Sequence, residues 1–285
     1  MLRDACSLFS IACSLSPAFS QLFLCARVKT DRGQNMPART FRFLLPVILV
    51  ASVLPQALNA QSGTFTISQL GKQVGTASFK FVSTPNGYDS TSTVRVSMKG
   101  LEYAFSKTEQ LSAANQLQHV QLSATVNGSA VNVSGAPDSA QFLLNFSANG
   151  RSSTARLDIH PGAVFMPDFD PGALETLLAL GVSQNNRDLL AIFPKQSGNQ
   201  PATTSQIQLA TYADEQGTLN GQSIAVHHLV ATIAGATTDL FSGPDNQLLQ
   251  AELPQQGFAL IRSGFVLKPP SKAGPAPAPD PAPTQ

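Results

Sequence analysis

The chain has 285 residues and a formal net charge of +1, and 12% of its residues are charged, against about 25% in an ordinary soluble domain. A near-neutral chain is not typical of a nucleic-acid-binding protein, which carries a basic patch or stripe. The composition also excludes a coiled coil and a polytopic membrane protein, and Ser, Thr, Asn, Gln and Gly stand where charged residues would be expected.

A positive, then apolar, then small-residue pattern follows the second methionine, Met36. Arg39 and Arg42 precede an apolar run of 12 residues over 43–54, and the small residue Ala60 stands where a signal peptidase would cut. The run is too short for a transmembrane helix, which needs about 20 residues. The pattern predicts a signal peptide over 36–60, cut after Ala60, and a location in the periplasm or outside the cell.

The segment 1–35 lies upstream of that pattern and is interpreted as a mis-annotated upstream extension, with a weak upstream anchor translated from Met1 as the alternative. It holds the chain's three cysteines, Cys6, Cys13 and Cys25. The exported chain therefore has no disulfide bond and no thiol chemistry, and we expect its core to hold it together. A single β-rich domain is predicted over 61–267.

Apolar and polar residues alternate along most of 64–160, the period of strands with one buried face. Asn–Gly pairs, which supply the positive φ angles of tight hairpins, begin at Asn86, Asn127 and Asn149. About eight strands with turns at short, regular intervals are expected, in an up-and-down order. This spacing favours a curved antiparallel meander, either a half-barrel or an open barrel.

The pattern changes after Pro161, where a helical insertion is expected. Asp170 is a plausible N-cap, and Pro171 occupies the first helical position of a helix over 173–180 that Gly181 ends. A second short helix is predicted over 186–193. Both are rich in leucine, and the concave face of the sheet is the surface that can receive them.

Strand character returns after a polar loop, and the chain ends in a Pro/Ala-rich segment over 268–285. That composition predicts a disordered tail. The closing strands are predicted over 203–212, 224–233, 237–241, 247–253 and 257–266. Turns are expected at 216–218 and at Asn220.

The closing and opening segments carry a family resemblance. Residues 65–77 form a strand, a turn and a Val–Gly pair, and 245–252 begin with Asp245, continue through two leucines and end at Glu252. With these patterns the chain resembles the DUF3108-like group of bacterial periplasmic proteins over 61–266, and more loosely the LolA/LolB-like lipoprotein-carrier half-barrels. The resemblance implies a strongly curved sheet with helices over its concave face, a cavity that in the carriers holds acyl chains. The family favours an aromatic residue, often Trp, before the final turn; Phe241 stands nearest here.

The polar residues predict neither a metal site nor a cofactor. Neighbouring strand residues point to opposite faces, so His227 and His228 are not expected to share a metal. Asp168 and Asp170 lack the oxygen-ligand series of a calcium loop and are interpreted as part of a helix cap. His119 and His160 have no ligand-spaced partners, and no Gly-x-Ser-x-Gly turn marks a serine hydrolase.

These observations predict a mostly β protein, a curved antiparallel meander with a short helical insertion on its concave face. The leading hypothesis is a non-enzymatic carrier or binding module for an apolar, lipid-like ligand in the cell envelope. The alternatives are a scaffold that docks envelope proteins through a sheet edge and the Pro-rich tail, and a hydrolase with an unrecognised site. No nucleic acid, cofactor or transmembrane span of the mature chain is expected. The predicted cavity lining consists of Phe79, Phe81, Phe142, Leu144, Phe146, Phe165, Phe169, Leu177 and Phe193.

Overall fold

The computed structural model describes residues 61–194 and 202–268, and these residues build one large, curved, unclosed antiparallel sheet with a single short helix. This confirms the predicted fold class. The predicted upstream extension, the signal peptide and the Pro/Ala-rich tail lie outside the described residues.

The first half of the sheet is an up-and-down meander of eight strands in which each strand pairs with the next. The strands are β1 (Ser62–Gln69), β2 (Lys72–Thr84), β3 (Gly87–Met98), β4 (Leu101–Ser112), β5 (Leu117–Val126), β6 (Ser129–Asp138), β7 (Gln141–Ala148) and β8 (Arg151–Asp158). The predicted number and order of strands are confirmed, because alternation and turn residues are local signals that the chain carries in every hairpin.

Two of the three Asn–Gly turns form as predicted. Asn127 and Asn149 have φ angles of 48° and 51°, and the glycine after each also has a positive φ. The first turn lies one residue earlier than predicted, because β2 ends at Thr84 and Gly87 already begins β3. Gly87 is required there by a close approach, since a Cβ at this position would overlap the backbone carbonyl of Leu111.

The second half of the sheet contains nine strands, and it joins the first half where β16 pairs with β1. They are β9 (Ala163–Phe165), β10 (Leu189–Phe193), β11 (Thr203–Thr211), β12 (Glu215–Leu219), β13 (Gln222–Ile233), β14 (Ala236–Ser242), β15 (Leu248–Leu253), β16 (Phe258–Arg262) and β17 (Phe265–Leu267). Pairing continues from β1 through β16, β15, β14, β13, β11 and β10 to β9.

The predicted second helix over 186–193 is wrong, because this segment contains β10. This strand pairs in parallel with β9 and antiparallel with β11, so its backbone groups are bonded on both sides. Leu189, Ala191 and Ile192 are buried. An apolar run this short does not distinguish a buried strand from a buried helix, and the pairing partners decide between them.

Two further local predictions are corrected by pairing across the sheet. The expected turn at 216–218 is part of β12, which pairs with β13 on one side and β17 on the other. The expected single strand over 257–266 is broken at Gly264, which has a φ of 80°. The break lets β17 leave the edge of β16 and reach β12.

The helix α1 (Pro171–Leu178) begins as predicted and ends differently. Asp170 is the N-cap and Pro171 the first helical residue, as expected. Gly181 does not end the helix, because the chain continues through a π-helical turn over Ala179–Ser183, closed by a bond from the Gln184 N–H to the Ala179 carbonyl. Within the described ranges, no helix has the length and apolar character of a membrane span.

Two apolar clusters lie on opposite faces of the second half of the sheet. The larger cluster fills the concave side, and every residue of α1 is buried against it. The smaller one consists of Val226, Phe241, Leu249 and Phe265. Phe241 and Leu249 each follow a leucine of the larger cluster along a strand, and neighbouring strand residues point to opposite faces.

Candidate functional site: a charged cluster beneath the helix

Four polar side chains interrupt the apolar concave face at the middle of the meander. Ser90 and Ser92 lie on β3, and Lys107 and Glu109 lie on β4. The register places Ser92 opposite Lys107 and Ser90 opposite Glu109, so the four form a compact two-by-two patch. All four are buried, with Lys107 fully inaccessible.

A carboxylate from the helical segment completes this patch. Lys107 Nζ lies 2.8 Å from Glu109 Oε2 and 2.5 Å from Asp170 Oδ2. Burial alone lowers the pKa of Lys107, but Asp170 and Glu109 outweigh it and leave this pKa above its ordinary value. Burial, together with the nearby charge of Asp170, raises the pKa of Glu109 more than Lys107 lowers it. The cluster therefore places the Lys107 amine between two carboxyl groups that favour its protonated form.

Asp170 connects the start of α1 to the sheet. Its Oδ1 atom accepts a hydrogen bond from the Gly172 N–H at 2.9 Å, which caps the helix, while its Oδ2 atom faces Lys107. The predicted capping role is thus confirmed, and the ion pair is a second role that the sequence did not indicate. The Asp170 side chain therefore both caps α1 and holds the start of the helix against the sheet.

At Gly172 the backbone of α1 lies directly against the patch. A Cβ at this position would overlap Ser92 Oγ and lie 3.5 Å from Phe79 Cβ. We expect Gly172→Ala to destabilise the protein by about 1–3 kcal/mol, the usual cost of overpacking a core. Urea unfolding measures this effect. Ser92→Ala removes the overlapping atom, so the double variant should recover most of the loss, whereas simple additivity of the two changes would contradict the contact.

A second buried carboxyl group fastens the middle of α1 to the opposite part of the sheet. Glu175 Oε1 accepts a hydrogen bond from the Leu248 N–H at 2.8 Å and lies 3.8 Å from an Arg262 guanidinium nitrogen. Burial raises the pKa of Glu175 to about 8, although that hydrogen bond and Arg262 oppose the shift. Burial lowers the pKa of Arg262, against the effect of Glu175.

The residues predicted to line a cavity all belong to or pack against the larger apolar cluster. Most of them are buried, and Phe169 and Phe193 are half-buried at its margin. Phe79 and Phe81 meet edge to face at 5.6 Å, and Phe169 meets Phe258 in the same way at 4.9 Å. The buried residues are Phe79, Phe81, Phe142, Leu144, Phe146, Phe165 and Leu177.

The neighbouring histidines are held by separate carboxylates. His227 lies 2.9 Å from Asp214, and His228 lies 2.9 Å from Asp239 while stacking on the Phe241 ring. The two side chains point to opposite faces of β13, as the sequence predicted. Among the residues that the structure describes, no group of three or more His, Cys, Asp or Glu side chains is arranged to hold a metal ion.

The patch is poorly suited to nucleophilic catalysis. A serine beside a lysine resembles a nucleophile with its general base, but such a lysine must be neutral to accept the hydroxyl proton. The Ser92 hydroxyl makes no hydrogen bond to the Lys107 amine, and the two carboxyl groups beside that amine raise its pKa and favour its protonated form. What the arrangement can do is hold an anion against an ammonium group in an otherwise apolar wall.

Sequence reasoning missed Lys107 and Glu109, although a signal for them was present. They occupy the positions of β4 between Phe105 and Leu111 that share the inward face by alternation. Charged residues at inward positions of a strand are rarely buried unless they are paired. The missing partner, Asp170, lies on a distant segment that local patterns do not connect to β4.

Comparison with known proteins leaves the family open. No family model matches the chain, and no curated protein matches it. A solved structure with a partly similar course of the chain is a DUF1089 family protein from Pseudomonas aeruginosa, with 10% sequence identity and a TM-score of 0.36 over 63% of this chain and 90% of that one. The expected relationship to the DUF3108-like group and the lipoprotein carriers is not confirmed by these comparisons.

Proposed function

We propose that the protein is an exported, non-enzymatic carrier or binding module for an apolar, lipid-like ligand, and that α1 is the movable cover of its binding face. The observation that carries the proposal is how α1 is fastened. Its residues are buried on the Phe-rich concave face, yet two buried carboxyl groups, Asp170 and Glu175, connect it to the sheet as well. When α1 moves away, it exposes the apolar wall together with the patch of Ser90, Ser92, Lys107 and Glu109.

Buried carboxyl groups contribute little net free energy to a closed form that never needs to open. The cost of removing charges from water offsets much of their attraction, so a well-packed apolar contact would stabilise the closed form at least as well. The ionic contact between Lys107 and Asp170 has a different advantage, because another anion can replace the carboxylate. The fastening of α1 therefore favours a cover that can be released.

The chain on both sides of α1 has the backbone features of a hinge. Phe169 has a φ of 62°, an unusual conformation for a bulky residue and one that costs free energy. The π-helical turn over Ala179–Ser183 follows the helix, and such turns are frequent at functional sites. Asn185, just after it, has a φ of 50°. These segments lie where a moving helix would have to bend the chain.

A disulfide that locks α1 to the sheet tests this proposal. Cysteines introduced as Ser92→Cys and Gly172→Cys lie where the helix touches β3, and no native cysteine follows Cys25. We expect the oxidised protein to bind the apolar dye phenylnaphthylamine at least about tenfold more weakly than the reduced protein. The disulfide holds α1 on the sheet and so prevents the open state to which the dye binds. The measurement is dye fluorescence in a titration of the chain from Gln61 onward.

The reduced double variant carries the same substitutions without the bond, and the unmodified protein lacks the overlap that a side chain at position 172 creates. The oxidised protein must therefore bind the dye more weakly than both. Equal, tight dye binding before and after oxidation would show that α1 need not move. Absence of binding in both states and in the unmodified protein would contradict the carrier function and favour the scaffold hypothesis.

A further inference from the structure

Two serine hydroxyls of the patch have no hydrogen-bond partner among the described residues. Ser90 Oγ and Ser92 Oγ are both buried, at 0% and 1% exposure of their residues. Buried hydroxyls without partners are disfavoured and call for an explanation. They flank Lys107 and Glu109 in register, so both lie on the same small area of the concave wall as the ammonium group.

The charges of the patch divide between the wall and the cover. Lys107 and Glu109 are neighbours on β4 and stay together when α1 moves, as a pair without net charge. Asp170 belongs to the cover and brings one negative charge to Lys107. When Asp170 leaves, the wall offers two hydroxyl donors and an ammonium group that has kept Glu109 and lost its second carboxylate.

We infer that this patch binds the anionic head group of a single-chain amphiphile, such as a long-chain carboxylate or an alkyl phosphate, and that Asp170 occupies the position of that head group in the closed protein. The inference rests on the proposed function and specifies its ligand. Lys107 supplies a charge-assisted hydrogen bond to the head group, and Ser90 and Ser92 donate two more. The alkyl chain lies along the neighbouring apolar wall, where Phe79 and Phe81 stand opposite Ser92 and Ser90 on β2.

This arrangement also accounts for the position of the charged residues. Lys107 keeps Glu109 as one partner in every state, and Asp170 is its second partner when no ligand is bound. Ligand and cover then compete for the same nitrogen atom. Binding of the head group therefore releases the N-cap carboxylate and loosens the start of α1.

The test compares ligands that share a chain and differ in the head group: hexadecanoate, hexadecyl phosphate and the neutral hexadecanol. Each displaces phenylnaphthylamine from the chain that begins at Gln61, and the readout is the ratio of the anionic to the neutral affinity. We expect a ratio of about 10–100 in the unmodified protein, as for a charge-assisted hydrogen bond. The larger of the two anionic ratios identifies a carboxylate or a phosphate head group.

Asp170→Asn removes the competing carboxylate and keeps a residue that can cap the helix. We expect it to raise the anionic-to-neutral ratio at least about tenfold, because only the anion gains from the freed ammonium. Glu175→Gln is the matched control, since it also replaces a buried carboxyl group between α1 and the sheet by its amide and leaves Lys107 untouched. It should change the affinities for all three ligands alike.

A double variant, Ser90→Ala with Ser92→Ala, leaves the ion pairs in place and should lower the ratio several-fold. Equal binding of hexadecanol and both anions in every variant would overturn the head-group site while the carrier function stands. If none of the three ligands displaces the dye and the dye itself does not bind, the proposed function fails and the head-group site fails with it.

Discussion

Lys107→Met is expected to destabilise the protein by about 3–5 kcal/mol, the cost of removing one partner from a buried ion pair. The substitution keeps a long, unbranched side chain, so the loss is mainly that of the charge. Glu109 and Asp170 would remain buried beside each other without the ammonium that faces them both. Urea unfolding of the chain from Gln61 onward measures the free energy of unfolding.

A variant without any of the three charges separates charge from packing. Lys107→Met combined with Glu109→Leu and Asp170→Asn leaves no uncompensated ion, and Asn still caps α1. We expect the triple variant to regain most of the stability that the single substitution loses. A single variant within about 1 kcal/mol of the unmodified protein would show that the cluster is not held as a buried ionic group.

Stability is also expected to fall as the pH rises from about 4.5 to about 8, because of Glu175. Burial raises the pKa of this carboxyl group from 4.5 to about 8, so the folded protein favours its protonated form. The full stability is present below pH 4.5, where both states are protonated, and it is lost as the pH rises through the folded pKa. At about 1.4 kcal/mol per pH unit, the loss from this group is roughly 4–5 kcal/mol.

Glu175→Gln isolates that contribution. The amide oxygen still accepts the hydrogen bond from the Leu248 N–H but does not ionise. We expect the difference in unfolding free energy between the variant and the unmodified protein to grow in favour of the variant from pH 4.5 to pH 8. A difference that stays constant with pH would mean that Glu175 is ionised in the fold, held by Arg262.

The meander could be predicted because its signals are local. Alternation assigns each residue to a face within one strand, and the Asn–Gly pairs at Asn127 and Asn149 select the hairpins that follow. The start of α1 was predictable for the same reason, since Asp170 and Pro171 act on the helix they precede. Each of these features depends on residues only a few positions apart.

The features that were wrong or missed depend on distant partners. The segment over 186–193 contains the strand β10 because β9 and β11 hydrogen-bond its backbone. The residues of the segment itself give no sign of these two partners. Gly181 lies inside a π-helical turn, where a Cβ would overlap the side chain of Leu209. Local propensity favours one type of element, but pairing with distant strands determines which element forms.

The candidate site likewise combines features that the sequence predicts with contacts that only the tertiary structure shows. The sequence by itself determined an alternating sheet, its aromatic inner positions and a helix that needs an apolar surface. The tertiary structure alone decided that Asp170 meets Lys107 and that Glu175 meets Leu248 and Arg262. Burial makes the difference, because a charge that would be solvated on an exposed strand needs a partner once α1 covers it, and the fold brings that partner from far along the chain.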